Sequence, residues 1–170
     1  MPTCWDQWYP EAARIAFLKG ADLIVYPTAI GHTEVLDDAY REAWRTVMRG
    51  HAVANALYVA AVNRVGHEGE TRFWGSSFLA DPFGAIVAEG GDREEVVIGE
   101  VDASRIDRMR RLNHYLRDRR PETYGPLLQR WAVGTMARGV PRIVQRPVIG
   151  TLSTSPGSSR MDTDSGRHHE

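Results

Sequence analysis

The stretch that most constrains the fold lies at the start of the chain, where Cys4–Glu11 reads CWDQWYPE. It runs into a helix that Pro10 can begin and Gly20 can end, because proline suits the first helical turn and glycine the position after the last. The apolar run Leu23–Tyr26 then predicts a buried strand. Turn, cysteine, helix and strand in this order are typical of a nucleophile elbow, which exposes a reactive side chain at the edge of a sheet.

Cys4 is the only cysteine in the 170 residues. The thiolate is the nucleophilic form of cysteine, and the positive end of a helix macrodipole favours it. Free cysteine is also among the most frequently buried residue types, so an inert core position is the alternative. His51, on a helix predicted farther along, is one candidate base for this thiol; a hydrogen-bonded core histidine is the other interpretation. The residue pattern alone leaves both questions open.

Composition restricts the class of protein and its partners. The length suits a single domain, 42% of the residues are hydrophobic, and the net charge is −1. A nearly neutral chain gives no global electrostatic argument for binding nucleic acid or an anionic membrane. A single cysteine excludes an internal disulfide framework and suits a reducing compartment. Because the sequence shows neither a signal-peptide pattern nor an apolar run of about 18 residues, we expect a cytoplasmic protein.

Periodicity and turn residues predict the remaining elements. Asp37 and Asp38 can cap a helix that we expect to run from about Ala39 to Leu57. Its core-facing stripe recurs at intervals of three and four and consists of Tyr40, Trp44, Val47, Met48, His51 and Asn55. Beyond it the pattern predicts strands over Tyr58–Asn63, Phe73–Ala80, Ala85–Ala88 and Glu95–Val101, with a turn at Asp81–Gly84, and a short helix from Asp102 or Ser104 to about Leu112.

Two clusters of residues are candidates for a metal site and a nucleic-acid site, and neither has the pattern that such a site requires. Residues 67–70 read HEGE, but no set of three or four ligands anywhere in the sequence has the spacing of a metal site. A basic cluster could contact phosphates, yet acidic residues are interspersed and the aromatic platform of single-strand binders is missing, which argues against nucleic-acid binding. Its members are Arg105, Arg108, Arg110, Arg111, Arg117, Arg119 and Arg120. We therefore predict no metal, no cofactor and no nucleic-acid partner.

Four segments carry a resemblance to a known family. They read CWDQWYPEAARIAFLKGADLIVYPTAIG, YREAWRTVMRGHAVANALYVAAVNRVG, FWGSSFLADPFGAIVAEG and LRDRRPETYG, and they extend from Cys4 to about Leu128. This long stretch resembles the carbon–nitrogen hydrolases of the nitrilase superfamily. The resemblance implies an α/β fold, part of a four-layer αββα sandwich. It also implies hydrolysis of a non-peptide C–N bond without a cofactor, with N-carbamoylputrescine converted to putrescine, carbon dioxide and ammonia as the expected reaction.

The resemblance also implies roles for particular residues. The family uses a Glu, a Lys and a Cys, and Cys4 matches the Cys. In the family the backbone N–H after the nucleophile, here that of Trp5, helps to hold the oxyanion. Ala29, in the loop after the first strand, and Glu34, one residue later than the family's amine-binding carboxylate, are candidates for substrate binding. Lys19, the only lysine, follows the nucleophile and does not match the family Lys.

Because the family Glu and Lys precede the nucleophile, we expect this sequence to correspond to the C-terminal half of an enzyme and to be inactive or impaired alone. Residues 1–128 would form the hydrolase portion, and the full-length enzyme would be a homo-oligomer. Residues 129–170 form a low-complexity tail that we expect to be disordered, because residues 151–170 in particular have too few apolar side chains to offset the entropy of ordering. Two alternatives stay open: a family member acting on another amide, nitrile or ureido acid, as a β-ureidopropionase does, or a non-catalytic interaction module.

Overall fold

In the computed structural model of the chain, the described residues are 2–32 and 37–130. The predicted tail from residue 131 onward lies outside them, so its expected disorder stays a prediction. The chain divides into two units, residues 1–119 and 120–170. The described part of the second unit contains two 3-10 turns, Pro121–Thr123 and Gly125–Leu128. The sheets, the core and the candidate site all belong to the first unit.

The first unit contains both helices and strands. A 3-10 turn, Cys4–Trp8, leads into helix α1 (Pro10–Leu18), and strands β1 (Leu23–Thr28) and β2 (Gly31–His32) precede the long helix α2 (Asp38–Asn55). Five strands and one helix follow: β3 (Tyr58–Asn63), β4 (Val65–Glu68), β5 (Thr71–Trp74), β6 (Phe78–Ala80), β7 (Ile86–Glu89) and α3 (Ala103–Leu112).

The helix starts agree with the residues that predict them. Pro10 is the first residue of α1, where its missing N–H costs no helical hydrogen bond. Asp37 caps α2, because its Oδ1 accepts the backbone N–H of Tyr40 at 3.1 Å. Asp102 caps α3 in the same way, accepting the backbone N–H of Ser104 at 2.8 Å. All three helices are therefore confirmed, with starts within a residue or two of those predicted.

Two sheets organise the strands. The larger has the order β1-β3-β6-β7, with β1 and β3 parallel and the other pairs antiparallel. The smaller has the order β2-β5-β4 and is antiparallel. In the parallel pair the last partners are Thr28 and Asn63, so the carboxyl ends of β1 and β3 lie side by side. Layered α/β proteins bind ligands at such strand ends.

The core lies between the larger sheet and helices α1 and α2. Fully burying a large apolar side chain contributes about 1.5–3 kcal/mol, so this layer dominates the stability of the fold. Its buried members are Ala13 and Phe17 of α1, Trp44, Met48 and Ala52 of α2, and Ile24, Tyr26, Val59, Ala61, Phe78 and Ala80 of the sheet, with Leu57 just before β3. On the opposite face of the sheet, Tyr58 and Leu79 pack with Ile106 of α3.

The predicted strand Phe73–Ala80 is wrong as a single element. It forms two strands, β5 and β6, which belong to different sheets. The break falls at Gly75 and Ser76, which have φ of 57° and 55° in the left-handed region. A Cβ at Gly75 would also lie 2.3 Å from the Gly91 carbonyl oxygen, so only glycine fits this crossing. The apolar pattern is interrupted at Gly75, Ser76 and Ser77, residue types that favour a turn.

The predicted strand over Glu95–Val101 is also wrong. None of the ladders among the described residues includes this segment, and Val96 and Ile98 are 86% and 87% exposed. Gly99 instead lies against β6 and β7, where an added Cβ would come within 2.7 Å of Leu79. Alternating apolar residues favour a strand only where a neighbouring strand pairs with them. The sequence pattern does not predict strands β2 and β4, because each is short and contains a glycine.

The same substitution at two glycines should have opposite effects. A Cβ at Gly31 would lie 2.3 Å from the backbone oxygen of Arg72, whereas one at Gly50, on the exposed side of α2, would meet nothing within 4 Å. We expect Gly31→Ala to lower the free energy of unfolding by about 1–3 kcal/mol through overpacking. Gly50→Ala should raise it by about 0.5–1 kcal/mol through helix propensity. Urea denaturation would measure both changes. Equal free energies of unfolding for the two variants would contradict the close approach of the Arg72 backbone to Gly31.

Candidate active site

Cys4 opens the 3-10 turn and is exposed. Its φ is 50°, in the left-handed region, where the backbone of most residues other than glycine or asparagine is strained. The turn is closed locally, because Asp6 Oδ2 accepts the backbone N–H of Thr3 at 3.1 Å and the Asp6 N–H donates to the Thr3 carbonyl at 3.2 Å. The exposure of the cysteine side chain agrees with the sequence prediction, and the backbone strain is a further observation of the structure.

A line of hydrogen bonds runs from the helix layer to the sulfur of Cys4. Trp44 Nε1–H on α2 donates to Gln7 Oε1 at 2.8 Å, and Gln7 Nε2 donates to Thr28 Oγ1 at 3.0 Å. Thr28 Oγ1 in turn lies 3.6 Å from Cys4 Sγ, as a donor. Gln7 and Trp44 are completely buried, and Thr28 is half-buried at the end of β1. A line of side-chain hydrogen bonds therefore connects the nucleophile candidate to the core.

His51 does not serve as the base for this thiol. It is buried on α2, and its Nε2 lies 2.8 Å from the carbonyl oxygen of Gln7, to which it donates. Burial lowers the pKa of His51 below its ordinary value, with the bond to the Gln7 carbonyl acting in the opposite direction. A neutral imidazole whose Nε2 proton is held by a backbone oxygen is a structural group. The interpretation as a hydrogen-bonded core histidine is the one that the contacts support.

Tyr26 lies under the same turn, with its ring centroid 6.0 Å from that of His51. Burial raises its pKa to about 12, and the negative charge of Asp6 adds to the effect. Its phenol is therefore protonated at neutral pH. Among the described residues its hydroxyl has no hydrogen-bond partner. Because its phenol keeps its proton at neutral pH, Tyr26 is excluded as a general base.

Asn63, at the end of β3, fixes the loop that follows β1. Its Oδ1 accepts the backbone N–H of Ile30 at 2.8 Å, and its Nδ2 donates to the Ile30 carbonyl at 2.9 Å. The same Nδ2 lies 3.0 Å from the Gly75 carbonyl, at the crossing between the two sheets. Both backbone groups of Ile30 are thereby occupied. The loop that carries Ala29 is consequently held in one position beside Cys4.

A cavity of about 340 Å³ opens beside the sulfur. Cys4, Trp5 and Ala29, three of the four predicted site residues, line it, so the structure brings them together. The fourth, Glu34, lies outside the described residues, and its role as an amine ligand stays a prediction. The sequence analysis missed Thr71 and Phe73 of β5, which also line the cavity. No motif marks those two, because only the pairing of β2 with β5 brings them to the site.

Trp5 occupies the second position of the 3-10 turn. The N–H groups of a first helical turn have no acceptor within the helix, which leaves the backbone N–H of Trp5 suited to an oxyanion. Its role as that donor stays a prediction. The indole itself is 62% exposed and donates through Nε1 to Tyr9 Oη at 2.8 Å.

Two arginines of the basic cluster form ion pairs within the fold. Arg105 pairs with the buried Asp81, and Arg110 lies 2.8 Å from Asp22. Within residues 2–32 and 37–130, no group of three or more His, Cys, Asp or Glu side chains is arranged to hold a metal ion. Over the same residues, none of the helices combines the length and the apolar character needed to cross a bilayer.

A comparison with protein families assigns the chain. The model of the family described as carbon-nitrogen hydrolase matches residues 1–111, which include Cys4, the turn, both core helices and the seven strands found among the described residues. The chain belongs to the carbon–nitrogen hydrolase family. The α/β fold inferred from the resemblance is thereby confirmed.

Two curated relatives illustrate the range of names in the family. The N-carbamoylputrescine amidase of Solanum tuberosum is 46% identical over 136 residues, which cover 74% of this chain and 45% of that protein. The citrullinase of Francisella tularensis is 41% identical over 135 residues, covering 75% of this chain and 47% of that protein. The chain therefore spans just under half the length of the curated relatives it matches.

Solved structures give the same assignment. The carbon-nitrogen hydrolase from Helicobacter pylori G27 superposes with a TM-score of 0.73 at 44% identity, covering 76% of this chain and 48% of that one. A mutant of the amidase from Nesterenkonia sp. AN1 superposes with a TM-score of 0.58 at 28% identity, covering 72% and 41%. In that amidase structure, the acetamide moiety of fluoroacetamide is covalently added at the active site cysteine.

Titration of His51 should make stability depend on pH. Because burial lowers the folded pKa below the unfolded value of about 6.5, the unfolded chain binds this proton more tightly. His51 therefore contributes stability above about pH 6.5, and this contribution is lost as pH falls from there towards the folded pKa. We expect the free energy of unfolding to fall over this range by at most about 1.4 kcal/mol per pH unit for this one group.

The measurement is urea denaturation at a series of pH values in wild type, His51→Gln and His67→Gln. His51→Gln should flatten the dependence just below about pH 6.5. His67 is exposed on β4, so its replacement should leave the wild-type slope in place. An unchanged slope in His51→Gln would show that this histidine is not the group held neutral in the core.

Proposed function

We propose that this chain supplies the nucleophile and one wall of the substrate cavity of a carbon–nitrogen hydrolase, and that the bond cleaved is in a carbamoylated amine, most specifically N-carbamoylputrescine. The observation that carries the proposal is the exposed, strained Cys4 beside a cavity, held by bonds from the core, in a chain 46% identical to an N-carbamoylputrescine amidase. The covalent adduct at the cysteine of the Nesterenkonia amidase supports Cys4 as the attacking group.

The proposed reaction proceeds through a covalent intermediate. The Cys4 thiolate attacks the carbamoyl carbon, and the terminal NH₂ group takes up a proton and leaves as ammonia. This gives a thioester in which the carbonyl stays attached to the substituted nitrogen. Water then displaces the sulfur and releases a carbamate, which decays to carbon dioxide and putrescine. Covalent catalysis divides the cleavage of a poor electrophile into two easier steps. The Trp5 N–H would stabilise the oxyanion of both steps, where loss of one donor typically costs about 10²–10³ in rate.

The groups that move protons in this reaction are the Glu and Lys implied by the family resemblance. Lys19 is exposed at the C-terminal end of α1, away from the start of the turn that carries Cys4, so it is not a substitute for the family Lys. Activation of a thiol by a positioned base typically contributes about 10²–10⁴ in rate. We therefore propose that residues 1–170 alone turn over slowly or not at all, while Cys4 remains chemically competent.

A second candidate substrate follows from the 41% identity to a citrullinase. Citrulline and N-carbamoylputrescine both carry a terminal ureido group on an aliphatic chain, so the same nucleophile and oxyanion donor could act on either. They differ at the far end, where citrulline adds a carboxylate to the amine. Recognition of that end is the step at which the two activities would separate.

The activity test joins this chain to the part of the Solanum tuberosum relative that precedes its own counterpart of Cys4. Ammonia release from N-carbamoylputrescine, citrulline and N-carbamoyl-β-alanine is measured for this chimera, for its Cys4→Ala variant and for the 170 residues alone. We expect the highest kcat/KM for N-carbamoylputrescine and a loss of at least about 10⁴-fold in Cys4→Ala, because the covalent path is removed.

The outcomes separate the alternatives. A preference for citrulline or N-carbamoyl-β-alanine would keep the chemistry and change the substrate. Full turnover by Cys4→Ala would remove the nucleophile from the proposal. A folded chimera that releases no ammonia from any of the three compounds would favour the non-catalytic interaction module. Equal rates for the chimera and the isolated 170 residues would contradict the need for a further Glu and Lys.

A further inference from the structure

We propose that Thr28 is a positioning residue for Cys4. A chain of hydrogen bonds, all donated in one direction, starts at the buried indole of Trp44 and directs the hydroxyl proton of Thr28 towards the Cys4 sulfur. The chain runs from Trp44 Nε1 to Gln7 Oε1, from Gln7 Nε2 to Thr28 Oγ1, and from Thr28 Oγ1 to Cys4 Sγ. Its consequence is stabilisation of the Cys4 thiolate, the reactive form of the thiol.

The direction of the chain is fixed at its buried end. An indole N–H can donate a hydrogen bond but cannot accept one. The group of Gln7 that faces Trp44 at 2.8 Å must therefore be its amide oxygen, and the amide nitrogen is left facing Thr28. With the amide reversed, the indole N–H and the amide N–H would face each other and neither would have an acceptor. No solvent could replace that acceptor, because Gln7 and Trp44 are both 0% exposed.

The direction is then passed to the sulfur. Thr28 Oγ1 accepts the Gln7 N–H at 3.0 Å, so its single proton is free to point elsewhere. Cys4 Sγ lies 3.6 Å from Thr28 Oγ1, within the range of an O–H···S contact. A thiolate can only accept, so this proton stabilises the charged sulfur and does not compete with it. Thr28 keeps its proton throughout and is not a general acid.

Helix α2 holds Gln7 at two points, which gives the chain its rigidity. Trp44 binds the side chain of Gln7, and His51 donates to the Gln7 carbonyl at 2.8 Å. The two residues are seven positions apart, two turns along one face of the helix. Burial keeps His51 neutral, so it brings no second charge towards the thiolate. The turn that carries Cys4 is thereby fixed to the core at Gln7, the residue that donates to Thr28.

This inference deepens the proposed function, because it takes Cys4 as the nucleophile, but its test does not depend on turnover. Cys4 is the only cysteine and is exposed, so iodoacetamide labels one known sulfur in the 170-residue chain. The thiolate displaces iodide, and the rate follows the ionised fraction of the thiol. The alkylation rate is measured against pH for wild type and for variants whose fold is checked by circular dichroism.

Thr28→Val removes the hydroxyl at nearly constant volume, and Thr28→Ser keeps the hydroxyl. We expect the valine variant to be alkylated about three- to tenfold more slowly at pH 7, with the midpoint of its pH profile raised, because a hydrogen bond to a charged group is lost. At high pH, where every variant is ionised, its rate should match wild type within about twofold, since access to the sulfur is unchanged. Serine should restore the wild-type midpoint. Trp44→Phe should also raise the midpoint of the pH profile, by less than Thr28→Val does, because the oxygen and nitrogen of the Gln7 amide can then exchange places.

Several results would overturn the proposal. One is a wild-type midpoint in Thr28→Val. Another is an equal shift in valine and serine, which would assign Thr28 a packing role only. A third is an unchanged midpoint in Trp44→Phe, which would deny that the indole sets the direction. If valine disturbs folding, Thr28→Ala provides the second hydroxyl-free variant and must show the same rise. The proposed function is judged separately by ammonia release in Cys4→Ala, so failure of one does not imply failure of the other.

Discussion

The buried amide of Gln7 is the interaction on which the rest of the site depends. An amide removed from water without partners costs several kcal/mol, so its bonds decide which arrangement of the turn is stable. Gln7 is completely buried, and its side chain binds Trp44 and Thr28 while its carbonyl accepts from His51. Those three partners come from α2 and β1. A single side chain thus joins the helix layer, the sheet and the turn that carries Cys4.

A second amide performs the same task on the other wall of the cavity. Asn63 ends β3 next to the last residue of β1 and occupies both backbone groups of Ile30, so the loop with Ala29 cannot move away from the sulfur. Because β1 and β3 are parallel, their carboxyl ends reach the same edge and the two amides can act on one site. Neither amide is reactive, yet together they fix the positions of the groups that are.

The sequence predicted those parts of the structure that local rules determine. The caps at Asp37 and Asp102, the start at Pro10 and the buried strands β1 and β3 depend on residues within one element, and the structure confirms them. The Gly-Ser-Ser run at residues 75–77 marks a turn, but the close approach of the Gly91 backbone to Gly75 is a long-range contact that no local pattern predicts. Likewise, Gln7 stands beside Cys4 in the sequence, but its role follows from Trp44, 37 residues later. The periodicity of the sequence does not predict contacts between residues that are far apart in the chain.

The left-handed backbone of Cys4 connects these constraints to reactivity. A cysteine at a φ of 50° costs roughly 1–3 kcal/mol, so the turn would relax if nothing opposed it. Relaxation would move Gln7, and moving Gln7 would leave the indole of Trp44 and the imidazole of His51 without acceptors inside the core. That loss is larger than the strain, because each unsatisfied buried polar group costs about 1–3 kcal/mol and several would be created together. The strained nucleophile is therefore a consequence of how the core satisfies its polar groups, and the exposure of the sulfur follows from it.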